Sequence, residues 1–218
     1  MNSLDPSLAL SVLCLASAVA MLLWAEMKGS RLGIWLAKPL ASSLFIVTAL
    51  LAGAVDSSYG QLILLGLCLS WLGDVFLIPK PRVYFIVGLG SFLLAHLAYV
   101  GAFLLQPLSV APLALSAMAM LVVAVFVLRW LWLNLTPGLR PAVVAYLLAI
   151  SLMVALAGGT IVATGLHVVI AAVMFAVSDI FVAREKFVSP NVANRFWGLP
   201  LYYGAQTIFA LSTQAHVS

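Results

Sequence analysis

Apolar runs of about 20 residues follow one another along the whole chain, and this feature constrains its fold more than any other. Hydrophobic residues make up 65% of the 218 positions, charged residues make up 7%, and the mean hydropathy is +1.22. A bilayer core of roughly 30 Å needs about 20 apolar residues per helix, so these runs predict membrane-spanning helices. We therefore predict an all-α polytopic membrane protein with one transmembrane domain, residues 1–218.

The apolar runs divide into eight predicted spans, separated by short polar or Pro- and Gly-containing stretches. In chain order they cover residues 7–26, 34–54, 60–78, 83–104, 109–132, 141–162, 165–183 and 197–215. The first span contains LASAVA, which resembles the end of a signal peptide, but the segment before it has no basic residue and contains Asp5. We therefore expect it to be an uncleaved helix.

The basic residues predict the orientation of these spans. Nine of the ten, all except Lys38, lie in or beside the loops that join spans one to two, three to four, five to six and seven to eight, whereas other loops, such as AVDSSYG, have neither Lys nor Arg. By the positive-inside rule the basic loops are cytoplasmic and both termini lie on the opposite side, in what we expect to be a bacterial inner membrane. The net charge of +4 then needs no nucleic-acid partner.

Two parts of the chain resemble each other around an aspartate. GDVFL, which contains Asp74, matches SDIFV, which contains Asp179. This similarity suggests two four-helix repeats in the same orientation, residues 1–108 and 109–218, although apolar sequences also align by chance. Two further correspondences pair Lys38-Pro39 with Arg140-Pro141, and Ala95-His96 with Ala205-Gln206.

Asp74 and Asp179 each lie inside an apolar span, where a charged side chain costs roughly 2.5–3.5 kcal/mol on insertion scales. Each precedes the basic end of its span by a similar number of residues, which places both roughly 7 Å below the same surface. Ionisable groups at this depth indicate a functional site. The structural alternative is a buried pair with Lys38 or Arg140.

Other polar side chains of the spans are further candidates for this site. They are Lys38, Ser91, His96, Tyr99, Tyr202, Tyr203 and Gln206. Each type also has a structural explanation: a lysine can extend to the interface, a histidine can be hydrogen-bonded in a core, tyrosines can form an interfacial belt, and hydroxyl or amide groups can join helices.

Two carboxyl groups that share a low-dielectric site do not both ionise readily, so one keeps its proton while the other carries a charge. Such a pair can hydrolyse a bond through an oxocarbenium-like state, with one group as acid and the other as charge stabiliser or base. The same pair could carry protons or cations in a small transporter or lipid-handling protein. Together with His96 it could also hold a catalytic metal. The residues alone leave these three functions open.

Four segments add a resemblance to a known family. LSWLGDVFLI, GLGSFLLAHLAYV, FAVSDIFVA and LYYGAQTIFALS resemble the signature blocks of the YhhN family of membrane proteins, which includes the lysoplasmalogenases, and the likeness runs from about Lys38 to Ser212. The resemblance implies an eight-helix hydrolase that cleaves the vinyl ether bond of lysoplasmalogens. Its products would be a fatty aldehyde and glycerophosphoethanolamine or glycerophosphocholine, and we expect no cofactor and no metal.

The resemblance also implies roles for the candidate residues. Asp74 and Asp179 would be the acid and the charge-stabilising or water-activating group, in either order, and His96 would orient a group or relay a proton. Lys38 would keep one aspartate ionised or contact the phosphate. We expect a lysophospholipid substrate among membrane lipids, and the oligomeric state stays open. The other predicted substrate-binding residues are Tyr202, Tyr203, Gln206, Ser91 and Tyr99, with Arg82, Arg184 and Arg195 drawing in the headgroup at the cytoplasmic rim, although the positive-inside rule explains these arginines equally well.

Overall fold

The structure is a computed structural model that describes residues 5–216, and this part of the chain contains helices and their connections only. The long helices are α1 (Pro6–Lys28), α2 (Arg31–Leu51), α3 (Ser58–Phe76), α4 (Arg82–Leu104), α5 (Val110–Trp132), α6 (Arg140–Gly159), α8 (Leu166–Ala183) and α9 (Val192–Ser212). A four-residue helix, α7 (Ile161–Thr164), separates α6 from α8. A π-helical turn, Arg184–Val188, continues α8.

These helices confirm the predicted all-α membrane fold. Within the described residues, seven helical segments are long and apolar enough to cross a membrane. The remaining long helix, α9, has 21 residues but a more polar sequence, because it carries Asn194, Arg195 and Gln206. It also begins before the predicted start at residue 197, since the side chain of Asn191 accepts a hydrogen bond from the Ala193 N–H and caps the helix there.

Four connections gather at one end of the bundle, because consecutive long helices alternate in direction. They are residues 29–30, 77–81, 133–139 and 184–191. The first is very short: Gly29 adopts a φ of 64°, which favours glycine, and the hydroxyl of Ser30 then accepts a hydrogen bond from the Gly33 N–H at the start of α2. Since most of the Lys and Arg residues lie in these connections or within four residues of them, we call this end the basic end.

The helices pack most extensively as four hairpins: α1 with α2, α3 with α4, α5 with α6, and α8 with α9. Further contacts of α2 with α9 and of α4 with α6 join the two halves. Alanines such as Ala37, Ala41 and Ala49 are buried where helices meet, because small residues let helices approach closely in a bilayer. Large apolar side chains, among them Leu10, Trp24 and Phe126, cover the outside, as expected for a surface in contact with lipid.

Helix α5 differs from the other long helices because it packs extensively only against α6. Leu131 is its one buried residue. The first helix of the other half, α1, packs against both α2 and α9. The position of α5 therefore leaves a space between α5 and α8, next to the residues considered below.

Candidate active site at the basic end

A cavity of about 550 Å³ lies near the basic end, and both intramembrane aspartates line it. Asp74 reaches it from α3 and Asp179 from α8, and Lys38, Tyr146 and Tyr202 form further parts of its wall. No hydrogen bond or ion pair recorded for the described residues joins the two carboxyl groups directly. The structure thus brings both aspartates to one cavity, where each has its own set of partners.

Asp74 is surrounded by hydrogen-bond donors. Its Oδ1 lies 3.2 Å from Nζ of Lys38, and its Oδ2 accepts hydrogen bonds from the Ser42 hydroxyl at 2.6 Å and the Tyr202 hydroxyl at 2.7 Å. Tyr203 supports this arrangement, because its hydroxyl lies 3.1 Å from Oγ of Ser42. Donors at both oxygens and an adjacent ammonium group suit an ionised carboxylate. Asp74 is 2% exposed, so the charge of Lys38 compensates a charge that has almost no contact with solvent.

Asp179 has different partners. Its Oδ2 accepts a hydrogen bond from the Tyr146 hydroxyl at 2.8 Å and lies 3.5 Å from Nε2 of His96. Nδ1 of His96 donates to the Phe92 carbonyl at 2.7 Å, because a carbonyl oxygen can only accept. In the neutral ring Nε2 is therefore an acceptor, and this atom is buried without a hydrogen bond of its own.

This geometry indicates that Asp179 and His96 hold a proton between them. If both groups lacked it, lone pairs of Nε2 and Oδ2 would face each other in a buried site, which is unfavourable. A proton on either atom makes the contact attractive. Unlike Asp74, Asp179 has no lysine or arginine within ion-pair distance among the described residues. The contacts of Asp74 thus suit a charged carboxylate, and those of Asp179 suit a carboxyl group that shares a proton with His96.

The close approach of α3 and α4 connects the two aspartate environments. Gly73 is buried against the Phe92 ring, and a Cβ atom at this position would come 2.5 Å from Cε2 of that ring. The Phe92 ring also packs edge-on against Tyr202, at 5.7 Å between centroids, while the Phe92 carbonyl holds His96. A glycine immediately before Asp74 is therefore required for the helices to meet at this distance.

Three predicted substrate-binding residues lie outside the cavity: Tyr99, Gln206 and Ser91. The Tyr99 hydroxyl donates to Oε1 of Gln206 at 2.6 Å, and Nε2 of Gln206 donates to Oγ of Ser70 at 3.0 Å. The Ser91 hydroxyl donates to the Leu69 carbonyl at 2.6 Å. None of these residues lines the cavity. Their hydrogen bonds join α3, α4 and α9, and their participation in substrate binding stays a prediction.

The predicted arginines occupy different places at the basic end. Arg195 lines the cavity, but its guanidinium donates to Glu26 and Glu185, at 2.8 Å in each case. Arg184 donates to Oδ1 of Asn194, and neither Arg184 nor Arg82 lines the cavity. Their contact with a headgroup also stays a prediction. The cavity mouth carries three other cations, for which the sequence suggested only a role in topology: Arg31, Lys80 and Lys186.

Ser42 and Tyr146 are contacts of the aspartates that the sequence analysis missed. Ser42 lies one turn after Lys38 on α2, a spacing that places both on the same face of a helix. Tyr146 lies within an apolar part of α6, where a phenol hydroxyl needs a hydrogen-bond partner. These spacings are the signals that could have identified them. Within residues 5–216, no three His, Cys, Asp or Glu side chains form a group that could hold a metal ion.

Comparison with known proteins shows that the chain resembles one membrane-protein family and several proteins named lysoplasmalogenase. The model of the YhhN family matches residues 33–213. Proteins named lysoplasmalogenase TMEM86A are 29% identical in Bos taurus and 30% identical in Homo sapiens, each over 87% of this chain and 72% of its own length. A Mycobacterium bovis protein named lysoplasmalogenase is 36% identical over 58% of this chain and 50% of its own. No solved structure matches significantly.

Proposed function

The chain belongs to the YhhN family, and from this membership we propose that it is a lysoplasmalogenase, an integral membrane enzyme that hydrolyses the vinyl ether bond of lysoplasmalogens. The products are a fatty aldehyde and a glycerophospho-alcohol, glycerophosphoethanolamine or glycerophosphocholine. The observation that carries this proposal is that two aspartates with opposite surroundings line one cavity at the basic end. The relatives named lysoplasmalogenase support the substrate class.

Hydrolysis of a vinyl ether requires both a carboxyl group that carries a proton and a carboxylate that carries a negative charge. Hydrolysis starts when an acid transfers a proton to the outer alkene carbon, which leaves an oxocarbenium ion at the carbon bonded to oxygen. Water adds to that carbon, and the resulting hemiacetal breaks down to an aldehyde and an alcohol. The reaction therefore needs a proton donor at the alkene and a negative charge that stabilises the cation.

We assign the acid to Asp179 and the fixed negative charge to Asp74. The pair of Asp179 and His96 holds the proton that is transferred, and the Tyr146 hydroxyl positions the carboxyl group. Asp74 stays ionised beside Lys38 and stabilises the oxocarbenium ion or the attacking water. The proton that this water loses returns to Asp179 and His96, so that the site regains its starting state.

The cations at the mouth suit the phosphate of the substrate. Arg31, Lys80 and Lys186 line the side of the cavity nearest the basic end, where the headgroup of a lysolipid would lie. By the positive-inside rule this end faces the cytoplasm, so the enzyme would take its substrate from the cytoplasmic leaflet, with both termini across the membrane. A bacterial inner membrane is the location that we propose.

The test is aldehyde release by the purified protein. Vinyl ether lysophosphoethanolamine and lysophosphocholine should yield fatty aldehyde, whereas the matching ester lysolipids should yield no fatty acid. Asp74→Asn and Asp179→Asn should each lower the rate at least about 100-fold, the lower end of what an acid or base contributes. Asp56→Asn, at an exposed position in the connection between α2 and α3, is the matched control. Fatty acid as the product, or full activity in either site variant, would contradict the proposal.

A further inference from the structure

A second, apolar space adjoins the polar cavity. A groove of about 170 Å³ lies between α5, α6 and α8, with the first turns of α4 at one end. Almost all the side chains that line it are hydrocarbon, and its few polar residues include Asp179 and its partner Tyr146. Both of these residues, together with Phe85, Leu89 and Val182, also line the polar cavity. The groove and the cavity are therefore continuous at Asp179.

The groove exists because of how α5 packs. Met120, Ala124 and Val127 are spaced three or four residues apart, so they project from one face of α5 into the groove. The opposite wall is formed by α8, against which α5 does not pack extensively. Helix α5 has one buried residue, and Val173 and Val177 of the α8 wall are exposed, so the space is open toward the surrounding lipid. A chain from the bilayer can enter it sideways without crossing the polar headgroup region.

We propose that this groove binds the hydrocarbon chain of a single-chain ether lysophospholipid, which enters from the bilayer between α5 and α8. This inference rests on the proposed function, because it describes the same substrate. The substrate has an apolar chain, a scissile bond and a charged headgroup in that order. The protein offers an apolar groove, Asp179 and a cavity with basic residues at its mouth in the same order. The narrow groove suits one chain better than the paired chains of a bilayer lipid.

The groove is also long enough to guide a chain. Its lining on α8 extends from Val173 to Ala183, which corresponds to roughly 15 Å along the helix. Asp179 lies within this length, and Met120, Ile150 and Val173 line the part that is farther from the basic end. A chain that follows this wall away from Asp179 points toward the middle of the bilayer. Substitutions of residues in that far part should therefore affect long-chain substrates more than short-chain substrates.

A pair of variants on one helix tests this site. Ala124→Trp fills the groove, whereas Ala119→Trp adds the same side chain at an exposed position about 140° away around α5. Ala124→Trp should lower kcat/KM for a long-chain vinyl ether lysolipid at least about tenfold, because buried methylenes lose their contacts. A short-chain substrate should be affected less, and Ala119→Trp should behave like the unmodified protein. Equal effects of the two variants would overturn the inference.

A labelling experiment tests the site without hydrolysis. The unmodified protein, in phosphatidylcholine vesicles, is irradiated with a saturated 1-O-alkyl lysophosphocholine that carries a diazirine near the end of its chain. The label should appear on the groove faces of α5 and α8, and excess unlabelled lysolipid should reduce it. Label spread evenly over the outer faces of the helices, or label that excess unlabelled lysolipid does not reduce, would overturn the inference. If the probe labels the groove but vinyl ether lysolipids yield no aldehyde in the separate activity assay, the chain-binding site is supported and the proposed function is contradicted.

Discussion

At the scale of single residues, the two aspartates show how one residue type acquires two properties. Asp74 and Asp179 each lie near the end of a helix, α3 and α8 respectively, and line the same cavity. The first accepts hydrogen bonds from two hydroxyl groups and pairs with an ammonium group, while the second contacts a phenol and an imidazole. We propose that these neighbours determine which carboxyl group is charged and which holds a proton.

Removing Lys38 should show how much the buried charge on Asp74 lowers the free energy of unfolding when it has no cation beside it. Lys38→Met leaves a buried carboxylate without its cation, and we expect a loss of about 3–5 kcal/mol in the free energy of unfolding. The double variant Lys38→Met with Asp74→Asn removes both charges, so most of the stability should return while aldehyde release stays absent. Thermal unfolding in detergent measures the first effect and the aldehyde assay the second. A single variant as stable as the unmodified protein would mean that Asp74 is not ionised.

Substitutions of two tyrosines, the half-buried Tyr146 and the buried Tyr99, should separate an effect on catalysis from an effect on stability. Tyr146→Phe removes the hydrogen bond to Asp179, and we expect kcat to fall by up to about tenfold, in line with the roughly 0.5–1.5 kcal/mol of an ordinary hydrogen bond. Tyr99→Phe leaves Oε1 of Gln206 without its donor and should lower the free energy of unfolding by about 1–3 kcal/mol at unchanged kcat. The reverse result, with kcat lost only in Tyr99→Phe, would place the reaction at Gln206.

The sequence could identify the aspartates but only some of their partners. A carboxylate in an apolar span is conspicuous because of its cost, and Lys38 is conspicuous for the same reason. Ser42 is an ordinary residue for a membrane helix, and Tyr146 differs little from an interfacial tyrosine. Their roles depend on which helices face each other, and this is a tertiary property that hydropathy does not encode.

At the scale of helices, glycine positions determine how closely α3 and α4 approach. Gly73→Ala brings a methyl group against the Phe92 ring and should separate the two helices, with a loss of stability of about 1–3 kcal/mol. Gly90→Ala, on α4, adds its methyl group to open space and should be neutral or stabilising, by up to about 1 kcal/mol, because alanine favours helix.

The same pair of variants should differ in activity. Phe92 holds His96 through its carbonyl and packs against Tyr202, so a displaced α4 disturbs the neighbours of both aspartates. We expect kcat to fall in Gly73→Ala and to be unchanged in Gly90→Ala, measured by aldehyde release from equal amounts of folded protein. Equal activity of the two variants would show that the separation of α3 and α4 does not affect the site.

The existence of the long helices was predictable, and the helix boundaries less so. Apolar runs and basic loops predicted eight spans because the bilayer imposes one length and one distribution of charge. The start of α9 was missed, since its first turn contains Asn194 and Arg195 and reads as a loop. These residues are part of a polar network at the basic end, in which the Asn194 side chain donates to Glu185. A helix that carries site residues is thus the one that hydropathy describes least well.

At the scale of the whole molecule, the contacts have the pattern that the proposed duplication would produce. Asp74 on α3 receives partners from α2 and α9, and Asp179 on α8 receives them from α6 and α4. If the repeat aligns α2 with α6 and α4 with α9, the two environments correspond helix by helix. The duplication stays a proposal, supported by this correspondence and by the matching contacts of α2 with α9 and α4 with α6.

The charge distribution around the cavity mouth leads to a prediction about substrate affinity. Lys80→Gln and Lys186→Gln remove cations that line the cavity, and we expect KM for a lysolipid to rise several-fold while kcat stays the same, because the phosphate is distant from the reacting bond. Arg82→Gln removes the same charge outside the cavity and is the control. A rise in KM that is equal in all three variants would indicate only the general surface potential of the basic end.

The isolated position of α5 also affects how this enzyme should be studied. Because α5 does not close against α8, we expect hydrocarbon of the host membrane to form the missing wall of the proposed groove and to compete with the substrate chain for it. Occupancy of the groove by substrate would then depend on the mole fraction of substrate within the membrane. The bulk concentration of substrate would have no direct effect. We expect rates to fall when inert phospholipid is added at constant total substrate. Kinetic constants obtained in micelles of different detergents should agree only after correction for this surface dilution.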